Sequence, residues 1–300
     1  MRKLKEVTFQ MCLGLVVLIL LPSPAHSQSI SEKQAFAIYN AKGKKVSYRA
    51  MFKQLMQAHA VLFGELHNNP IAHWLELELA VDIFEKQPNM ALAAEMFEAD
   101  QQKWIDLYLG GELDEKTFED SMRLWPNYKT DYKPVVNFAK EKGISLIASN
   151  CPRPAARAVA RNGIALFADA KGMEWNSFVA PLPIKVDTQD LGYKEMRIMM
   201  GAGHGMSPDK LIEAQALKDA TMAYFTSLKL KEGKMVIHYN GEFHSKYFGG
   251  ISNYLNGYQP DVKIKTISVI EGEKGVAFQQ DWKQRADFII VVPSRMTKTY

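Results

Sequence analysis

The stretch VLFGELHNNPIAHWLELEL, residues 61–79, decides the fold. It opens as a short apolar run, passes through Gly64, Glu65 and His67, and reaches Asn69-Pro70. Asn69 is suited to cap a helix whose first position is proline, because proline has no N–H to leave unpaired there. A buried strand running straight into a capped helix is half of a βαβ unit. The helix is predicted to reach about Lys86 and to turn Ile71, Trp74, Leu75, Leu77, Val81 and Phe84 toward the sheet.

The same alternation continues in both directions. Apolar runs at 60–64, 90–94, 144–148 and 235–239 read as buried strands, with further candidates at 263–270 and 288–292. Between them, Asp100 can cap a helix that Gly110 and Gly111 stop, Pro134 can open one that ends at Gly143, and residues 211–230 form a long final helix. Residues 114–208, apart from the strand at 144–148, are mixed and are expected to hold helices that cover a site. The expected fold class is α/β: a largely parallel or mixed central sheet flanked by helices.

Residues 1–27 have a different character. Arg2, Lys3 and Lys5 precede an apolar run from 11 to 21, followed by Pro22, Ser23, Pro24 and the small residues Ala25 and Ser27. This is the order of a secretory signal peptide, and the apolar run is shorter than the roughly 20 residues a spanning helix needs. Cys12 stands at the start of that run, where lipoprotein processing would need a cysteine at its end. The expectation is an exported, soluble, periplasmic or extracellular protein without a lipid anchor, whose single domain covers 28–300 with its core at about 50–270. Cys151 is then the one remaining cysteine, so no intrachain disulfide can form. The chain's net charge of +4 falls to about +2 after cleavage, too little to argue for a nucleic acid or an anionic lipid surface.

In open parallel sheets ligands sit beyond the carboxyl ends of strands. Read in order, those ends supply Glu65 and His67, then Glu95, then Asn150, Cys151 and Arg153, then Asn240, Glu242 and His244. Glu65 and His67 would flank a tight turn at Gly64, where backbone can approach a ligand. Glu95 follows a wholly apolar strand, so its ionised form needs a partner, and His67 or His244 can supply one. His73 reads as a packed or solvated side chain at least as readily as a functional one. His238, inside a strand, reads as a core histidine. The methionines 196, 199, 200 and 206 around His204 read as apolar packing.

Four segments resemble a known family: residues 61–79, ALAAEMFEADQQ at 91–102, EAQALKDATMA at 213–223, and HYNGEFHSKYFGGI at 238–251. They resemble the ChaN-like proteins, exported haem-binding proteins linked to iron uptake and grouped with the Tiki and erythromycin-esterase-like superfamily. The resemblance runs from about 50 to 270. It implies that Glu65, His67, Glu95 and His244 match the superfamily's site, with His204 and Asp219 in flanking motifs. Many relatives carry a lipobox cysteine, which this chain lacks.

Two readings follow. In the first, the chain binds haem or iron reversibly, with His67, His204, His244 or Tyr247 as candidate cofactor-binding residues. Tyr239 lies near them, and Phe243 and Phe248 are able to line a flat ligand. In the second it is a hydrolase in which Glu65, His67, Glu95 and His244 are catalytic, with or without a divalent metal held by the same four side chains. A small molecule, haem first, is the expected partner; a homodimer and contact with membrane uptake machinery are further expectations.

Overall fold

The computed structural model describes residues 33–169, 174–200 and 207–300, and Gln34–Tyr300 forms one compact unit. The leader expected at 1–27, with Cys12, and the candidates His204 and Met206 lie outside the described residues. In chain order the elements are β1 (Ala37–Asn40), β2 (Lys45–Val46), α1 (Tyr48–Leu55), β3 (Ala60–Glu65), α2 (Pro70–Lys86), β4 (Met90–Glu98), α3 (Gln102–Leu109), α4 (Glu115–Ser121), α5 (Lys133–Lys142) and β5 (Ser145–Asn150). They continue with α6 (Arg153–Asn162), α7 (Leu191–Met200), α8 (Pro208–Lys231), β6 (Met235–Gly241), α9 (Ile251–Tyr258), β7 (Ile264–Gly272) and β8 (Phe288–Pro293).

The eight strands form one mixed sheet in the order β2-β1-β8-β7-β3-β6-β4-β5. The six strands β3 to β8 are all parallel, and β1 and β2 add an antiparallel edge beyond β8. The expected α/β sheet is therefore present, with β3 at its centre between β6 and β7.

Alternation along the strands sorts their side chains to two helical layers. Val61 and Phe63 of β3 pack with Leu75, Leu79 and Ile83 of α2. Ala60 and Leu62 point the other way, against Met222 and Ala223 of α8 and Ile251 and Leu255 of α9. Glu65 continues the α2-facing series, whereas Glu95 continues the series of Ala93, which packs on the α8 side with Val236 and Phe225. The two faces thus deliver their last polar side chains to a single carboxyl edge.

Local signals set several helix ends. Asn69 Oδ1 accepts from the N–H groups of Ile71 (3.0 Å) and Ala72 (3.2 Å), capping α2. Gly143 closes α5 at φ +64°, a left-handed position that glycine takes without a Cβ penalty. Three expectations are corrected. Asp100 caps nothing: α3 follows a short 3-10 turn, and the Asp100 carboxylate pairs with Arg123. Gly64 is not in a turn but inside β3, where a Cβ would stand 2.9 Å from the Ile267 carbonyl oxygen. The inward face of α2 is Ala72, His73, Leu75, Glu76, Leu79, Ala80 and Ile83, while Trp74 is about half exposed. Because α2 carries apolar residues on several sides and also packs on α5 through Phe84 and Phe138, its periodicity could not pick the inward face.

Candidate functional site

β3 ends in a buried carboxylate with four neighbours. Glu65 Oε1 lies 2.6 Å from His67 Nδ1 and accepts from the Tyr132 hydroxyl at 2.7 Å, and Oε2 is 3.3 Å from His73 Nδ1. Burial alone would raise the Glu65 pKa, but the hydrogen bonds from His67, His73 and Glu76 hold it well below the usual carboxylate range. His67 is less enclosed, with a third of its side chain exposed and Trp125 edge-on at 4.8 Å. Burial disfavours its charge, yet the Glu65 hydrogen bond and the charges of Glu95 and Glu65 prevail and raise its pKa.

A second array approaches from the α8 side. Glu95 Oε2 accepts the Gly241 N–H at 2.7 Å, and Oε1 lies 3.0 Å from His244 Nε2. The other ring nitrogen of His244 bonds to Asp219, on the inward face of α8, and Asp219 in turn accepts from the Tyr193 hydroxyl at 2.6 Å. Burial opposes a charge on His244, but Glu95 and Asp219 outweigh it and push its pKa up to about 9. Burial would raise Glu95, and the charges of His244, His67 and Lys218 hold it far below its ordinary value. The partner that the apolar strand demanded for Glu95 is His244.

Gly241 is where the two arrays meet. A Cβ there would lie 2.6 Å from His67 Nε2 and 3.4 Å from Glu95 Oε2, so the absent side chain is what lets the His67 ring cross the end of the sheet. Glu65, His67, Glu95 and His244 are brought together as two coupled pairs. Next to them opens a cleft of about 580 Å³, lined by His67, Glu95, Glu98, Trp125, Asn150, Arg153, Arg157, Lys218 and Tyr300. The third strand end therefore does contribute to the same edge.

Other candidates fall elsewhere. Tyr247 is not among the residues lining this cleft; it has φ +56°, and its hydroxyl accepts from Arg285 Nη1 at 3.3 Å. Phe243 lies under the Lys246 ammonium (3.1 Å), and Phe248 borders a separate hollow. Tyr239 is buried, its hydroxyl donating to the Glu76 carbonyl at 3.1 Å. His238 is a core histidine as expected, set between Ser149 Oγ (2.9 Å) and Asn240 Oδ1 (3.1 Å) and lowered by burial to a pKa of about 4. His73 is neither solvated nor merely packed, since it faces Glu65, Glu76 and Asp131. Sequence reading missed Glu76, Asp131, Tyr132, Tyr193, Gly241 and Gln215, whose side-chain amide lies 2.9 Å from His244 Nδ1. The available signal was His73 and Glu76 three residues apart on the helix that follows the Glu65 strand end.

The fold has a counterpart among known proteins. The family described as haem-binding uptake, Tiki superfamily, ChaN, matches residues 51–255. The chain belongs to this family. It is similar to a solved structure of ChaN from Campylobacter jejuni, described as binding haem cofacially, at 20% identity and a TM-score of 0.65 over 86% of this chain and 97% of that one. A likeness to a mutant of the erythromycin esterase EreC has 13% identity and a TM-score of 0.45, covering 79% of this chain and 77% of that one. The chloroplastic protein RETICULATA-RELATED 5 of Arabidopsis thaliana is 26% identical over 123 residues, 39% of this chain and 17% of that protein. The chain thus spans about a sixth of that curated relative's length.

Proposed function

We propose that this protein binds haem reversibly outside the cytoplasm, in iron or haem uptake, with the cleft beside His67 as the binding site. The observation that carries this reading is an imidazole fixed by a buried carboxylate at the mouth of a cleft in a haem-binding family. Glu65 takes Nδ1 and leaves Nε2 as the nitrogen to offer a metal, the arrangement by which outer carboxylates orient histidine ligands. His244 is a poorer candidate because Glu95 and Asp219 engage both its ring nitrogens. Trp125 supplies an apolar wall, and Arg153, Arg157 and Lys218 supply cationic groups for a ligand's carboxylates. When bound, haem would bring its iron; the chain's own part is to hold and orient the macrocycle, with affinity coming mainly from buried apolar surface.

Titration of the purified protein with haemin tests this. A saturable shift of the Soret band is expected, with a changed spectrum in His67→Ala and an unchanged one in Tyr247→Phe. No shift in the wild type sinks the reading. Export is tested by the intact mass of the secreted product, which should begin near Gln28 and carry no lipid.

A second reading rests on the same pair of residues. His67 oriented by Glu65 has the geometry of a general base, and Glu95 with His244 could polarise a substrate. Hydrolysis of an ester or amide that falls by about 10²- to 10⁴-fold in His67→Ala, in a protein that ignores haemin, would favour it.

A further inference from the structure

Beneath His67, on the α2 side of the sheet, Glu65 meets two side chains that neither reading uses, His73 and Glu76. Glu65 at the end of β3 and His73 and Glu76 on α2 each turn a donor atom inward, and these three atoms lie within 4.8 Å of one another. His73 Nδ1 is 3.3 Å from Glu65 Oε2 and 3.2 Å from Glu76 Oε2. We propose that Glu65, His73 and Glu76 form a buried site for a divalent cation of the zinc type, distinct from the cleft above it.

Three observations converge on this assignment. The first is spacing. Around a tetrahedral zinc with bonds of about 2.0–2.1 Å, adjacent ligand atoms stand about 3.3 Å apart, which is how the His73 nitrogen stands to both carboxylates. The second is what remains unsatisfied. Glu76 Oε1 is enclosed without a hydrogen-bond partner, and Glu65 Oε2 has only the 3.3 Å approach of His73 Nδ1, although both residues are about 99% buried. Buried acceptors of that kind are rare unless a proton, a water or an ion completes them. The one proton on His73 Nδ1 cannot serve two carboxylates equally, whereas a cation between them can.

The third observation is the outer support. The opposite nitrogen of His73 faces Asp131 Oδ2 at 3.3 Å and the His67 carbonyl at 3.2 Å, so Nδ1 is directed at the two glutamates. Asp131 is itself held by Asn127 and, at 2.7 Å, by the Thr299 hydroxyl. Tyr132 fixes the other oxygen of Glu65 at 2.7 Å. A carboxylate behind a ligating histidine is the arrangement metal sites repeat. Charge agrees: with His73 neutral as a ligand, Glu65, Glu76 and Asp131 leave negative charge that a divalent cation would offset. Imidazole with carboxylates favours zinc and its first-row neighbours over calcium.

The set expected from the sequence, with His67, Glu95 and His244 as metal ligands, differs from this one in all but Glu65. That difference makes the test sharp. The full chain, free of haemin, is stripped with a chelator and titrated with zinc chloride by calorimetry, and its metal content is measured after dialysis. One equivalent is expected in the wild type, in His67→Ala and in His244→Ala. Glu76→Gln and His73→Gln should weaken binding by at least tenfold. X-ray absorption of the wild-type zinc form should show one imidazole and carboxylate oxygens, a result that does not depend on how the variants fold. Wild-type protein that takes up no zinc, or zinc that survives Glu76→Gln but leaves with His67→Ala or His244→Ala, overturns the proposal. Because haemin is absent throughout, the haem reading can fail while this site stands, and the reverse.

Discussion

Replacing Gly241 by alanine isolates the contact on which the site depends. The backbone there has φ −56° and ψ 142°, comfortable for alanine, so the substitution adds a methyl group and no torsional strain. That methyl would stand 2.6 Å from His67 Nε2 and 2.8 Å from Cε1, while ordinary contact begins near 3.4 Å. The ring must therefore retreat by about 0.8 Å. Glu65, already 2.6 Å from the opposite ring nitrogen, blocks a direct retreat, so the ring must swing aside and lose that bond. A hydrogen bond to a charged group is worth about 1.5–3 kcal/mol net, and overpacking a tight site costs about 1–3 kcal/mol. Because His67 is a third exposed and can swing into the cleft, losing the bond relieves the overlap, so the two costs are alternatives and about 1–3 kcal/mol in all is expected. Urea denaturation gives the stability change, and the imidazole resonances of His67 report the lost carboxylate as a fall in its raised pKa. Haemin affinity should drop in parallel. Alanine tolerated within about 0.5 kcal/mol, with the His67 signals unmoved, would refute the claim that an absent side chain admits this ring.

Gly64→Ala makes the contrasting case: its methyl meets the Ile267 carbonyl at 2.9 Å and Glu242 Cα at 3.1 Å, both backbone, so denaturation should show a larger loss than for Gly241→Ala. Stability should also peak near pH 6.5. His238, lowered by burial to about 4, is neutral in the fold, so its contribution is complete above pH 6.5 and is lost as pH falls through 4, about 3 kcal/mol at most. His244, raised to about 9, contributes fully below pH 6.5 and loses that contribution as pH rises through 9, by a similar amount. Chemical denaturation across pH 4–9 checks both arms, and His238→Gln should flatten the acid one while leaving the alkaline one in place.

The fold was legible because its signals are local. Asn69-Pro70 marks a helix start, Gly143 a helix stop, and β3 and β4 each open on a short apolar run. The carboxyl edge was legible for the same reason: the rule placing ligands there needs the strand ends and not their order in the sheet. What stayed hidden depended on three dimensions. Gly241 earns its role through a ring 174 positions away in the chain, and Tyr132 reaches Glu65 across 67. Gln215 sits on α8 among residues that face the sheet, and a helix buried this heavily, with Thr221, Thr226 and Ser227 inside as well, has no clean polar stripe to read; Asp219 beside it was named only through the family resemblance. On α2, the apolar residues around His73 and Glu76 pointed the wrong face inward.

These misreadings share a cause that bears on how the site works. A single layer of helices could have supplied one oriented histidine. Here the sheet's two faces each supply one: Glu65 and α2 from below for His67, and Glu95 with Asp219 of α8 from above for His244. The second histidine is locked at both nitrogens and 5% exposed, so its charge serves to hold Glu95 ionised against burial. The first is anchored at one nitrogen and reaches solvent. An edge where two faces converge can thus hold one imidazole rigid as an electrostatic support and leave its neighbour free to meet a ligand. That division of labour accounts for the different settings of the two histidines, His244 closed in at both ring nitrogens and His67 held through Nδ1 with a third of its side chain exposed.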